Sequence, residues 1–262
     1  MKKQIKQIVG KMLSTVCVNP VGRACLNQSG YSCIPSYQME VIKNLDKHED
    51  ITKYETFGEI ATGVINDRTT CLYYDRLYTI YQTLLSFDKT HLNTIEIGVY
   101  KGGTSKFILE TLKRINIIYN HYCIDTFEGH SEKDIGSNDT HKVNQFNDTS
   151  LESVTKLLAS YNEDNLYGNL SIKKGRFEEF KTDLNDKDFD FVYLDMDLYS
   201  PTLDALKFFS SILKSKSIIL IDDYGHKSCP GIRKAVDEFL KTDDTFFNFH
   251  LLTGQMLLVK YE

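Results

Sequence analysis

Four aspartates follow two apolar runs that lie close together in the sequence. Asp195 and Asp197 end one run, FDFVYLDMD, and Asp222 and Asp223 end the next, SIILIDD. Neighbouring parallel strands bring their carboxyl ends to one edge of a sheet, which is where open α/β sheets bind ligands. Four converging carboxylates would partly protonate unless a cation compensates their charge. The residues therefore predict a site for a hard divalent cation, with Mg²⁺ favoured over Ca²⁺ or Mn²⁺ because all the ligands are oxygens.

The alternative is that some of these aspartates only cap local structure. Asp197 precedes a predicted helix and Asp223 precedes a turn. Aspartate is a common residue at helix N-caps, so either side chain could have that role. Capping is a weaker explanation for all four residues together.

A glycine-rich turn joins the run NTIEIG to a predicted helix. Gly98, Gly102 and Gly103 allow close approach of the backbone to a ligand and positive φ angles. Their spacing fits neither the dinucleotide pattern G-x-G-x-x-G nor a phosphate-binding Walker A loop. Glu96, just before the first glycine, would repel a phosphate. We therefore expect S-adenosylmethionine, a cofactor that carries no phosphate.

The expected contacts of this cofactor follow from the order of the elements. Backbone N–H groups at the helix start, around Thr104 and Ser105, can hold the methionine carboxylate. Glu96 would lie near the cationic end, and Asp125, which closes the next strand, would accept from the ribose hydroxyls. Phe177 follows the third strand and could stack on adenine, with core packing as an equal alternative. A glycine turn in another α/β fold is the alternative for the whole motif.

A cation beside this cofactor could activate an acceptor hydroxyl. Coordination lowers the pKa of a sugar or catechol hydroxyl and fixes its oxygen in line with the methyl–sulfonium bond. A carboxylate then removes the proton, and Asp195 and Asp197 compete for that role. His226, after the motif DDYG, is a further acid–base candidate, although a surface histidine needs no functional explanation.

The elements that must position these residues alternate regularly from residue 93 onward. Short β-rich runs and amphipathic stretches predict parallel strands joined by helical crossovers. The last two runs, FFNFHLL and QMLLVKY, flank a tight turn and predict an antiparallel hairpin. The predicted fold is α/β, with a seven-stranded sheet that resembles the Rossmann-like class I methyltransferases. The predicted strands before the hairpin cover 93–98, 119–125, 170–175, 189–195 and 217–222, and the predicted helices cover 71–87, 103–115, 149–160 and 202–214.

The first 60 residues are predicted to be a helical and irregular extension of a domain that spans 61–262. Residues 1–16 are basic, with apolar residues at helical spacing, and are too polar to span a membrane. This helix could pack on the body of the protein or on a second subunit. Contact with an anionic membrane surface is a less favoured alternative. Residues 17–36 and 50–70 carry turn signals and are predicted to be irregular.

Composition limits the class of protein. Hydrophobic residues make up 41% and charged residues 26% of the chain, and the net charge is −5. These values are typical of a soluble globular protein and argue against non-specific nucleic-acid binding. The six cysteines have no CxxC spacing, which argues against a zinc site and predicts small, buried, reduced thiols in a cytoplasmic protein.

Five ordered motifs resemble the macrocin O-methyltransferase family. Members of this family are S-adenosylmethionine- and Mg²⁺-dependent sugar O-methyltransferases, including the mycinamicin and novobiocin-sugar enzymes. The resemblance implies that Asp195, Asp222 and Asp223 are the metal ligands. Asp197 would then either support these ligands without binding the ion or act as the proton acceptor. The motifs, from about residue 60 to 262, are IEIGVYKGGTS, IDTFEGH, KKGRFEE, LDMDLYSPTLDAL and IDDYG with CPGIRKAVDEF.

The resemblance also implies the substrate class. A member would methylate a sugar hydroxyl of a nucleotide sugar, a glycan precursor or a glycosylated natural product. The upstream segment TGVINDRTTCLYYDRLYTIYQTL is similar to the family too, which implies a lid, a substrate wall or a subunit contact, and Arg233 is a candidate for the rim. The alternatives are a phenolic or nitrogen acceptor, a relative of the cephalosporin hydroxylases, and a non-catalytic scaffold, which would have no use for the aspartates.

Overall fold

A computed structural model describes residues 52–163 and 167–262 of the chain. Residues Phe57–Glu262 form one compact unit. The predictions for the basic segment 1–16, for the segment 17–36 and for the first three cysteines lie outside the described residues. Within the described ranges, no helix combines the length and the apolar character that a membrane span requires.

A seven-stranded mixed sheet forms the centre of this unit, in the order β3-β2-β1-β4-β5-β7-β6. Strands β1 to β5 are parallel, and β7 runs antiparallel to both β5 and β6. The predicted fold class, including the antiparallel hairpin at the C-terminus, is confirmed. The strands are β1 (His91–Ile97), β2 (Ile118–Asp125), β3 (Gly168–Lys174), β4 (Phe191–Leu194), β5 (Ile218–Ile221), β6 (Phe246–His250) and β7 (Met256–Lys260).

Helices connect the parallel strands, as the alternating pattern predicts. Helices α6 and α7 pack on each other, and α2 packs on α3. The predicted helices are present with ends shifted by up to three residues. In chain order the helices are α1 (Thr52–Asn66), α2 (Tyr74–Leu85), α3 (Gly103–Arg114), α4 (Leu151–Glu163), α5 (Lys181–Leu184), α6 (Tyr199–Ile212) and α7 (Pro230–Phe239), with a 3₁₀ turn (Phe177–Phe180) before α5.

Strands β4 and β5 determine where the aspartates lie. Every residue of both strands is buried, which explains their continuous apolar runs. Leu194 pairs with Ile221 at the carboxyl ends of the two strands. The first residues beyond this pair are Asp195 and Asp222, whose backbone N–H groups still donate to the neighbouring strands. The sheet register therefore places both aspartates side by side at its edge.

One prediction about local structure is wrong. The segment just before the first predicted helix is expected to be irregular, yet most of it forms helix α1. Four apolar residues of this helix are buried, and the successive distances between them in the sequence are three, one and three residues. They are Phe57, Ile60, Ala61 and Val64. This spacing places them on one helix face, while polar residues between them make the segment look like a loop.

Candidate active site

A cleft opens at the carboxyl ends of the central parallel strands. It encloses about 1100 Å³ of empty space, including the part open to solvent. The turns after β1, β2, β3, β4 and β5 form its floor and sides, and the segment between α1 and α2 forms another wall. The predicted substrate wall upstream of the sheet therefore lines this cleft.

Three of the four aspartates meet at one end of the cleft. Asp195, Asp222 and Asp223 each offer a carboxylate oxygen, and these oxygens lie within 4.8 Å of one another. Burial and the charge of Asp222 raise the pKa of Asp195 well above its ordinary value. The same two causes raise the pKa of Asp223 to about 8. These three residues could hold a hard divalent cation.

Arg76 of helix α2 contacts two members of this cluster. Its Nη1 donates to Asp222 Oδ2 and, at 2.8 Å, to Asp223 Oδ1. Burial alone would lower the pKa of Arg76, but the two carboxylates raise it, so the guanidinium stays charged. Sequence reasoning missed this residue, although it lies in the motif YDRLY of the predicted wall.

Asp197 lies beside Asp223 and also faces a second group of side chains. Its Oδ2 lies 3.5 Å from Nε2 of His130, and the rings of His130 and His141 are 5.2 Å apart. Burial would raise the pKa of Asp197, but the two imidazoles outweigh that effect and lower it. His130 Nε2 and His141 Nδ1 are buried atoms without a hydrogen-bond partner in the described structure. Neither histidine was predicted, although His130 ends the motif IDTFEGH.

The backbone supports a functional role for the aspartates. Asp197 and Asp223 have φ angles of 61° and 56°, a region that non-glycine residues seldom adopt and that often marks functional sites. Neither α6 nor α7 receives a side-chain capping hydrogen bond from its N-cap residue. Asp139 accepts from the first N–H of α6, that of Tyr199, at 2.8 Å instead. Capping by Asp197 or Asp223 is therefore wrong as an explanation.

The three glycines after β1 differ in what they do. Gly98 lines the cleft with φ +90°, and a Cβ there would lie 1.8 Å from the carbonyl oxygen of Asp195. A Cβ on Gly103 would lie 2.4 Å from the carbonyl carbon of Thr69, and Gly102 faces Val154. Gly102 and Gly103 do not line the cleft. All three glycines let chain segments approach each other, and Gly98 also borders the cleft, so a cofactor contact by Gly102 or Gly103 stays a prediction.

Glu96 is a buried acid that lines the cleft. It accepts a hydrogen bond from Ser105 Oγ, and burial raises its pKa to about 8. Ser105 is fully buried, does not line the cleft and holds Glu96, so its direct contact with a cofactor stays a prediction. Thr104 does line the cleft, and its hydroxyl lies 3.2 Å from that of Thr70.

Asp125 organises the glycine turn. Its Oδ2 accepts from the N–H groups of Val99 and Tyr100, both at 2.8 Å, and its Oδ1 accepts from that of Phe127 at 2.6 Å. A carboxylate has about four acceptor positions, so about one is left for a ligand. Asp125 also lines the cleft.

Residues 75–247 match the family described as macrocin O-methyltransferase (TylF). The chain belongs to this family. It is therefore an S-adenosylmethionine-dependent O-methyltransferase, which removes the hydroxylase, nitrogen-acceptor and scaffold alternatives. No curated protein matches the chain.

Solved structures share the fold of this methyltransferase. The O-methyltransferase NovP is 22% identical with a TM-score of 0.63, covering 74% of this chain and 82% of NovP. The calicheamicin methyltransferase CalS11 is 18% identical with a TM-score of 0.54, covering 81% of this chain and 94% of its own. The SAH-bound methyltransferase PaMTH1 of Podospora anserina is 13% identical with a TM-score of 0.52, covering 79% and 88%. At these identities the likeness concerns the fold alone.

Three other predicted residues of this methyltransferase lie at or near the cleft but make core or surface contacts, and His226 offers a ring nitrogen within 4.8 Å of a carboxylate oxygen of Asp223. Phe177 lines the cleft but belongs to the core, where its ring stacks on Phe209 at 5.6 Å. His226 is exposed, does not line the cleft, and shares a hydrogen bond of 2.6 Å with Ser228. Arg233 lies over the ring of Tyr224 and also lies outside the cleft lining.

The described cysteines are free thiols, of which two are buried. Cys123 and Cys229 fit the expectation of small buried residues, while Cys71 is exposed and contributes to the cleft wall.

Proposed function

We propose that this enzyme methylates a sugar hydroxyl with the help of a hard divalent cation, Mg²⁺ first. The observation that carries the proposal is the meeting of Asp195, Asp222 and Asp223 beside a cleft at the carboxyl edge of the sheet. A divalent cation bound there would supply Lewis-acid activation of the acceptor hydroxyl, whose pKa it would lower.

The donor chemistry of the three aspartates supports Mg²⁺. All the available ligand atoms are carboxylate oxygens, which suit hard cations better than zinc or copper. Burial, followed by repulsion from the charge of Asp222, raises the pKa values of Asp195 and Asp223. A cation of charge +2 would relieve that repulsion and keep the carboxylates ionised.

We propose that Asp197 removes the proton from the sugar hydroxyl that becomes methylated. Its lowered pKa keeps it ionised, and its Oδ2 faces His130 and lies outside the group of three cation ligands. Asp195, the competing candidate, is committed to the cation cluster. His226 is not proposed as an acid–base group, because it lies outside the cleft lining.

The cofactor half of the cleft lies over the carboxyl ends of β1 and β2. Four lining residues are proposed to contact S-adenosylmethionine, which would supply the methyl group. Glu96 would face the positive charge of the cofactor, and Asp125 would accept from a ribose hydroxyl. Gly98 and Thr104 border the same space, whereas the ring of Phe177, which also lines the cleft, packs in the core.

A sugar is the proposed acceptor because the family is named for a macrocin O-methyltransferase. A phenolic acceptor is the competing outcome of the same experiment. The purified enzyme is incubated with methyl-labelled cofactor, Mg²⁺ and separate panels of glycosides and catechols, and methyl incorporation is read by mass. Incorporation into glycosides supports the proposal, and incorporation into catechols alone contradicts it.

The cation ligands are tested in the same assay. Asp195→Asn, Asp222→Asn and Asp223→Asn should each lose activity by more than about 100-fold, since even residues that only support metal ligands often cost 10- to 100-fold. Asp188→Asn is the matched control, because Asp188 is exposed and pairs with Lys214 on the surface. Full turnover after treatment with EDTA would contradict the cation requirement.

A further inference from the structure

Arg76 occupies the position from which a cation would compensate the acidic cluster. The recorded ion pairs of Asp222 and Asp223 are both with its Nη1. The Arg76 side chain is only 18% exposed, and that of Asp222 is 1% exposed. A buried carboxylate pair with one guanidinium between its members is a strongly coupled arrangement, because little water screens the charges.

The oxygens of these two aspartates already have donors. Asp222 accepts from Gln255 Nε2 at 2.9 Å on Oδ1 and from Arg76 on Oδ2. Asp223 accepts from Arg76 on Oδ1 and from the thiol of Cys229 at 3.4 Å on Oδ2. A divalent cation that binds this pair must share or replace these contacts, and it must also overcome repulsion from the guanidinium.

We propose that Arg76 is a tethered counter-ion that competes with the divalent cation for Asp222 and Asp223. The inference rests on the cation site of the proposed function and adds a second state to it. In the cation-free state Arg76 compensates the carboxylates. A divalent cation can then bind only when the guanidinium loses its contact with Asp222, with Asp223 or with both. Arg76 therefore weakens cation affinity and stabilises the fold when the cation is absent.

The segment that precedes Arg76 in the chain lies on the cofactor side of the cleft. Arg76 lies in the first turn of α2, directly after the wall segment that contains Thr69 and Thr70. Thr69 O accepts from the N–H of Gly103 at 3.0 Å, and the Thr70 hydroxyl contacts that of Thr104. Arg76 therefore follows directly in the chain on a wall that is hydrogen-bonded to the start of α3.

If Arg76 had only a positioning role, its removal would change the cation affinity in the opposite direction. If Arg76 only aligned the carboxylates as ligands, its removal would leave Asp222 and Asp223 misplaced and cation binding weaker. If Arg76 competes, its removal leaves two uncompensated carboxylates that bind a cation more tightly. The sign of the change in affinity separates the two roles without any knowledge of the acceptor.

Titration with Mn²⁺ measures that sign on the full chain without cofactor. Free Mn²⁺ is followed by its electron paramagnetic resonance signal, with calorimetry as a second readout. Arg76→Gln should bind Mn²⁺ at least about tenfold more tightly than the natural protein, and Arg76→Lys, which keeps the charge, should stay near the natural protein. Arg114→Gln is the control, because Arg114 pairs with the exposed Glu59.

Thermal unfolding without cation checks that the variant is folded. Arg76→Gln should melt at a lower temperature than the natural protein, and saturating Mn²⁺ should remove most of the difference. Equal or weaker Mn²⁺ binding by Arg76→Gln would overturn the proposal. If no variant binds Mn²⁺, Arg76→Gln included, both the counter-ion role and the cation site are overturned. If Mn²⁺ binds tightly but the methyltransferase activity is insensitive to EDTA, only the proposed role of the cation in catalysis is overturned.

Discussion

Asp195 and Asp197 are two residues apart, yet their surroundings shift their pKa values in opposite directions. Burial and the charge of Asp222 raise the pKa of Asp195, whereas the imidazoles of His130 and His141 outweigh burial at Asp197 and lower it. The backbone of Asp197 is left-handed, with a φ angle of 61°. This difference supports distinct proposed roles, cation binding for Asp195 and proton acceptance for Asp197.

Replacement of Asp197 by asparagine separates these roles. Asp197→Asn should lower kcat by about 10²- to 10⁴-fold, the range for loss of a general base, and should leave Mn²⁺ affinity within about twofold. Asp195→Asn should lower both. The two variants are compared by steady-state kinetics and Mn²⁺ titration. An Asp197→Asn enzyme with unchanged kcat would exclude it as the proton acceptor.

The raised pKa of Glu96 predicts how the free energy of unfolding depends on pH, and this can be tested without a substrate. Burial raises its pKa from 4.5 to about 8 in the folded protein, so the folded state holds an extra proton between these values. The stability from this group is complete below about pH 4.5 and is lost as the pH rises through about 8. Its contribution to the free energy of unfolding should fall by up to about 1.4 kcal/mol per pH unit in that window.

Denaturant unfolding from pH 5 to 8.5 measures this contribution. The difference in free energy of unfolding between the natural protein and Glu96→Gln should fall with pH, because glutamine cannot ionise. Glu59→Gln, at an exposed ion pair with Arg114, should follow the natural protein. Parallel curves for the natural protein and Glu96→Gln would contradict the raised pKa.

At the scale of the elements, the close approach of β1 and β4 is what locates Asp195. The turn residue Gly98 lies against the carbonyl group of Asp195, and the N–H of Asp195 donates to Ile97 O at 2.9 Å. Two buried strands thus end at nearly the same point in space. The glycine motif and the first aspartate belong to one packed unit, although they are almost a hundred residues apart.

A methyl group at Gly98 should disrupt this unit. Gly98→Ala should lower the free energy of unfolding by about 3 kcal/mol, because the new Cβ meets backbone atoms at a positive φ. Gly58→Ala is the matched control within helix α1, where no atom lies within 4 Å of the new Cβ. It should stabilise the protein by about 0.5–1 kcal/mol, the usual effect in a helix interior. Similar stabilities of the two variants in denaturant would refute the close packing at Gly98.

The segment after β2 is held to the rest of the site by several polar contacts. Asp139 accepts from the start of α6, and Asp134 pairs with Arg176. These contacts bring His130 to Asp197. No repeating pattern in the segment reports them, because each joins single residues that are far apart in the chain.

The whole molecule shows which features a sequence encodes locally. The apolar runs and their polar ends place Asp195 and Asp222 correctly, because strand period and crossover topology leave few arrangements. Helix α1 was missed because its apolar residues are diluted by polar ones. Arg76 was missed because its partners lie 146 and 147 residues away, and its role depends on burial that no local pattern carries. The division at residue 60 and the role of the preceding segment stay predictions.

The cofactor half and the acidic half of the cleft share one edge of one sheet. An acceptor that enters between them would meet the proposed cation, Asp197 and the methyl donor within a single space. We therefore propose that three aspartates, which follow two neighbouring strands, bind a divalent cation at this edge.

A crystal structure of the enzyme grown with Mn²⁺ and SAH tests that claim most directly. The anomalous signal of manganese locates the ion without reference to its ligands. We expect one strong peak bonded to carboxylate oxygens of Asp195, Asp222 and Asp223, with Arg76 released from at least one carboxylate. No peak at this cluster, with Arg76 still bonded to both Asp222 and Asp223, would contradict it.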